Sequence, residues 1–154
     1  MLGRFAIILV IIVGAFSASA LDEPKPDPEK YPQDTAEHAL DTMAKALEAE
    51  DYAYFITWVV TPDSTKRTLD KYKTLEAAVA ASKTEPAKVE GRKTTLALIA
   101  KIDKSKKVEG KDGDIAYVRF SIDDKSFMQF EKQAGGRWCF NPRARVAADK
   151  GGPK

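Results

Sequence analysis

Few side chains in this 154-residue chain are of the types that do chemistry, and they are scattered along it. There is one histidine, His38, and one cysteine, Cys139. Zinc sites and most general acid–base centres draw on several such residues, so no metal and no cofactor is expected. The sequence has no glycine loop for phosphates, no Gly-x-Ser-x-Gly elbow and no paired nucleophile and base. Cys139 cannot close an internal disulfide, and burial as a small apolar side chain is its default role. The acids fall where capping or solvation explains them. Asp51 opens a helix, Asp112, Asp114, Asp123 and Asp124 sit in turns, and Glu131 points away from its apolar strand neighbours Met128 and Phe130. None is placed in a pocket, so the catalytic set is empty and the balance leans against an enzyme. The side chains left are aromatic. Tyr54 and Trp58, four apart on a helix, could stack on a ligand or partner, or pack on a neighbouring segment. Tyr117 and Arg119, alternate residues of a strand, could meet a partner on an outer sheet face, or simply form an exposed amphipathic surface.

The elements that must carry these residues are legible from their periods. Asp34 and Glu37 have the spacing of a capping box, with Asp34 as the cap. Ala36, Leu40, Met43 and Leu47 then recur on one helical face, predicting a helix over about Thr35–Ala49 with His38, Asp41 and Lys45 opposite. Tyr52, Phe55, Ile56, Val59 and Val60 form the apolar face of a second helix, which Pro62 ends. Thr61 and Pro62 start a third, carrying Leu69 and Tyr72. A short helix over about Leu75–Ala81 follows, and a longer one opens at Pro86. Strand-like residues near Thr94–Ile99 and the helix-weakening Gly91 leave a strand open as the alternative there. The period then changes. Lys106–Glu109 reads as a short strand before a turn at Gly110–Gly113. Ile115–Ile122 alternates, with Val118 and Phe120 on one side and Tyr117 and Arg119 on the other. Phe127–Lys132 and Arg137–Phe140 complete the set, separated by turns at Asp123–Lys125 and Ala134–Gly136. Strands joined by short turns pair antiparallel. The fold class is therefore α+β: N-terminal helices packed on a curved antiparallel meander of three to four strands.

The ends of the chain carry other information. Arg4, an apolar run from Phe5 to Phe16 broken only by Gly14, and the small residues Ser17–Ala20 have the order of a signal peptide. A membrane-spanning helix needs about 20 apolar residues, more than this run supplies. Cleavage near Ala20 would export the protein to the periplasm or beyond, with the membrane met only through the signal segment. Leu21–Gln33 holds Pro24, Pro26, Pro28 and Pro32 among charges, and reads as a proline-rich linker that buries little. The folded domain spans residues 34–146, and the tail Ala147–Lys154 is expected to be disordered. The chain has 25 basic side chains, of which the signal segment removes Arg4, leaving 24 against 23 acids. That near-neutral, interspersed charge gives no field for nucleic acid.

Ala46-Leu47, Glu50-Asp51-Tyr52, Phe55-Ile56 and the terminal Gly136-Arg137-Trp138-Cys139-Phe140 together resemble the nuclear transport factor 2-like, cystatin-like α+β cone superfamily, in particular its small exported bacterial members. The resemblance covers about Asp34–Phe140. It implies a sheet curled around helices with a conical pocket, in a superfamily of isomerases, dehydratases, cyclases, ligand binders and association modules. Trp138 and Phe140 are then core residues facing the Leu40/Met43/Leu47 stripe. The enzymatic members need an acid in the pocket, which the acids here do not supply. The expectation is an exported domain that binds a small apolar ligand or a protein partner, with Tyr54, Trp58, Tyr117 and Arg119 as the contact residues. The alternatives are an isomerase- or cyclase-type enzyme of the same fold, and a structural domain that homodimerises through the outer sheet face.

Overall fold

A computed structural model of the chain describes residues 22–144. Met1–Ala20, read above as a signal peptide, and the tail Ala147–Lys154, expected to be disordered, lie outside the described residues. The architecture is α+β, with five helices followed by a four-stranded antiparallel sheet in the order β1-β2-β3-β4. The helices are α1 (Ala36–Glu48), α2 (Tyr52–Tyr54, continuing as a π-helical turn, Phe55–Val59), α3 (Pro62–Tyr72), α4 (Leu75–Thr84) and α5 (Pro86–Ile99). The strands are β1 (Lys107–Asp112), β2 (Ile115–Ser121), β3 (Phe127–Lys132) and β4 (Trp138–Asn141).

Period explains most of this. The α1 stripe is sealed, with Leu40 and Met43 fully buried and Leu47 nearly so. It packs on β3 and β4. Register places Val118 opposite Phe130, Phe120 opposite Met128 and Phe130 opposite Phe140, so these side chains share the face that meets α1. The Phe120 and Phe130 rings meet edge-on at 5.8 Å, and Phe140 lies 5.6 Å from Phe130. Trp138 shares this face and packs against the core, although only partly buried. Segment 86–99, open between strand and helix by sequence, is helical. Helix α5 packs on α1, and α4 packs on α2, α3 and α5, so the helices form two tiers.

Three local expectations are corrected. The cap of α1 is Thr35, not Asp34; Thr35 has extended backbone and its hydroxyl accepts from the His38 amide. Asp34 instead meets His38 Nδ1 at 2.7 Å, and Glu37 accepts from Lys107 of β1 rather than folding back on the cap. At the first hairpin, Gly110 and Lys111 stay in β1, and the turn is made at Gly113, which takes positive φ. Gly110 has another role. The Tyr117 ring crosses it from β2, and a Cβ there would lie 2.4 Å from the Tyr117 hydroxyl.

The third correction is the proline-rich segment. It was expected to bury little, yet Tyr31 is 2 % exposed and Gln33 is 6 % exposed. The segment is a strap, held by side chains that reach out from the helices. The Tyr31 ring stacks on Tyr54 at 4.2 Å between centroids, and its hydroxyl donates to Asp51 Oδ2 at 2.9 Å. Thr42 donates to the Pro32 carbonyl, and Trp58 Nε1 donates to the Pro24 carbonyl. An extended proline-rich segment makes no internal hydrogen-bond ladder, so its carbonyls are free for such bonds. The strap also closes one sheet edge. The Trp138 amide donates to the Gln33 carbonyl, and Gln33 Nε2 donates back to the Trp138 carbonyl. Farther along β4, the Thr61 amide donates to Phe140 and Val60 bridges to the same residue. An edge covered in this way offers no free ladder to another chain.

Candidate functional site: a groove between the helix tiers

The conical pocket between helices and sheet is filled where α1 lies, by Leu40, Met43, Phe120 and Phe130. Open volume is found at the N-terminal end of α1 against β1, β2 and β4, where a cleft of about 570 Å³ is lined by Asp34, Glu37, Glu109 and Trp138 among others, and one tier away. A groove of about 320 Å³ runs between α1 and α2 on one side and α3, α4 and α5 on the other, closed at one end by Phe140 and Pro142. That volume lies at the lower end of the range for small-molecule sites, about 300–1,000 Å³.

Two features of sequence shape the groove. First, the π turn after Tyr54 carries an extra residue per turn, seen in the Val60 amide donating to the Phe55 carbonyl. Phe55 and Ile56 then line the groove while Tyr54 and Trp58 address the strap. Second, Ser64, Thr68 and Tyr72 recur every four residues on α3, and Lys88, Arg92 and Thr95 share a face of α5. These faces read as solvated, yet they line the groove. Most of the hydroxyls are already engaged. Thr68 donates to the Ser64 carbonyl, Ser82 donates to the Ala78 carbonyl, and Ser64 meets the Thr61 hydroxyl. With the Thr68 and Ser82 hydroxyls bonded within their helices, the wall presents mainly carbon to anything that enters.

The charged groups gather at the α5 side. The Arg92 side chain is 19 % exposed and its Nη1 donates both to Glu50 and to the Tyr52 hydroxyl. The hydrogen bond from Arg92 holds the Glu50 carboxyl below its ordinary value. Lys88 stands 6.0 Å from the centre of the Tyr72 ring, whose hydroxyl donates to Glu85 at 3.1 Å. Among the described residues the groove wall carries two cations and no carboxylate.

The residues expected to make contacts are not gathered in one place. Tyr54 was placed off the apolar face of its helix; it is 4 % exposed and belongs to the core, because the strap returns over it. Burial pushes its phenol above the ordinary value, and does the same for Tyr31. Trp58 is half-buried, covered on one side by the Arg137 guanidinium at 4.5 Å. Tyr117 and Arg119 lie on the sheet face away from α1. There the Arg119 guanidinium is clamped between the Tyr117 and Phe127 rings, at 4.5 and 4.7 Å, and its Nε donates to Gln129. Gln129 passes the chain on to Glu131, which also accepts from Asn141. Cys139 is a buried free thiol, and burial pushes its pKa up. His38 is exposed on the outside of α1. The described residues contain no group of three His, Cys, Asp or Glu able to hold a metal, and no helix long and apolar enough to cross a membrane. No family model, curated protein or solved structure matches this chain.

Proposed function

We propose that this chain is an exported, non-catalytic domain that binds a small apolar ligand in the groove between its helix tiers. The observation that carries the reading is a groove whose wall is carbon-rich and which holds no carboxylate among the described residues. Export rests on the order of residues in Met1–Ala20. The resemblance of the Glu50–Ile56 and Gly136–Phe140 motifs to the cone superfamily supports the same direction, since that superfamily includes ligand binders. No carboxylate lines the groove among the described residues, which favours binding over isomerisation or cyclisation there.

The test uses N-phenyl-1-naphthylamine, a neutral probe that brightens in apolar surroundings. Gly91 lines the groove, and a Cβ there meets nothing within 4 Å, so a larger side chain at this position projects into open space. The wild-type protein is expected to enhance the probe saturably, Gly91→Ala to do the same, and Gly91→Phe to lose the enhancement. No saturable enhancement by the wild type, or the same enhancement by folded Gly91→Phe, refutes the reading.

A further inference from the structure

We infer that the groove selects an amphipathic anion, an apolar chain ending in a carboxylate, and that Arg92 is the residue that binds the head group. This inference rests on the groove being a ligand site and names the class of ligand it takes.

Arg92 is set into the groove wall with its side chain largely covered, whereas its partner Glu50 is half-exposed and is not part of the wall. A guanidinium has five N–H donors arranged as a fork that fits a carboxylate. Among the described residues only Nη1 is engaged, by Glu50 and the Tyr52 hydroxyl. The other donors are open to a second acceptor. Glu50 can give way to such an acceptor because its carboxylate already faces water and regains solvent when it leaves. Lys88 adds a second positive charge to the same side. A cationic ligand meets Arg92 and Lys88 with no lining acid to offset them. A neutral chain fills the groove without satisfying the open fork. An anion with an apolar tail does both, with Leu47, Phe55, Ile56 and Phe140 in position to cover the tail. Hydrogen bonds between ionised partners are the stronger kind, and the gain should show as about tenfold in affinity.

The experiment is competition against bound N-phenyl-1-naphthylamine by decanoate, decanol and decylamine, which share a chain and differ in head group. Wild-type protein is expected to release the probe at about tenfold lower decanoate than decanol, with decylamine weakest. Arg92→Met should rank decanoate with decanol whatever its own affinity for the probe, while Arg92→Lys should keep a reduced preference for decanoate. If the probe binds but decanol competes as well as decanoate, or if Arg92→Met keeps the preference, the inference is wrong and the ligand site stands. If the probe does not bind wild-type protein, both fall. Circular dichroism of each variant confirms that the fold survives, and Arg92→Lys tests the charge should Arg92→Met fail to fold.

Discussion

Replacing Tyr31 probes whether the proline-rich strap is part of the folded domain. The ring is 2 % exposed and stacked on Tyr54 at 4.2 Å, so Tyr31→Ala empties a site the size of a phenol in the core. Truncations of buried aromatic side chains cost about 3–5 kcal/mol. Tyr31→Phe keeps the ring and removes only the hydroxyl that donates to Asp51. A hydrogen bond to a charged acceptor is worth about 1.5–3 kcal/mol. The cost here should fall at or below the low end of that range, because Asp51 keeps the Tyr54 amide at 3.2 Å and Lys30 at 3.6 Å. The two variants should therefore separate by about 2 kcal/mol or more. Urea unfolding followed by far-ultraviolet circular dichroism reads this directly. With a slope of about 2 kcal/mol per molar, Tyr31→Ala lowers the midpoint by about 2 M and Tyr31→Phe by under 1 M. A Tyr31→Ala midpoint within a few tenths of a molar of wild type would mean that the strap is loose in solution, and that the expectation of an extended linker was right after all.

Other perturbations follow from the same geometry. Gly91→Ala should stabilise the protein by about 1 kcal/mol, since helix propensity improves and the new methyl touches nothing; a lower melting temperature would contradict that. Gly110→Ala forces the end of the Tyr117 ring off β1 and opens the clamp on Arg119, and should cost up to about 1 kcal/mol in chemical denaturation because the ring end can swing outward; a loss of about 3 kcal/mol would mean that the ring is locked in place. Acid and alkali should each weaken the fold, with opposite signs of linkage. Hydrogen bonds from Lys107 and Arg92 hold Glu37 and Glu50 below their ordinary 4.5, so that their stabilisation is present above 4.5 and is lost as pH falls through the lower folded values. Burial holds the Tyr31 and Tyr54 phenols above 10.0, so unfolding becomes easier as pH rises past 10.0, where the unfolded chain releases those protons first. Melting temperatures across pH 3–11 check both limbs, and a flat profile above pH 10 would place those two rings in water. Cys139, buried and with its pKa raised, should react with a thiol reagent only as fast as the protein opens; immediate labelling of native protein would refute its placement.

Elements with a single clear period were legible in the sequence, and elements defined by what covers them were not. The Leu40/Met43/Leu47 stripe and the alternation of Val118 and Phe120 each name one buried face, and those faces meet. The strap escaped because Tyr31 is a lone aromatic among prolines and charges, with no repeat to reveal a partner. Its burial depends on Tyr54, Asp51, Thr42 and Trp58, which lie elsewhere in the chain. The same blindness moved Tyr54 from the helix surface to the core. The groove was missed for a related reason. Ser64, Thr68 and Tyr72 on α3 and Lys88, Arg92 and Thr95 on α5 do have helical spacing, but a polar stripe is ordinarily assigned to water. Only the way the outer tier is laid on α1 and α2 turns those stripes inward.

The most direct measurement of the central claim is a titration of the folded protein with decanoate, followed by two-dimensional amide NMR spectra. Saturable shifts gathered at Ser64, Thr68, Gly91, Arg92 and Thr95 are predicted, with the amides of Tyr117, Arg119 and Phe127 unmoved. Shifts concentrated on the outer sheet face or the strap, or none at millimolar decanoate, would contradict the groove as the binding site.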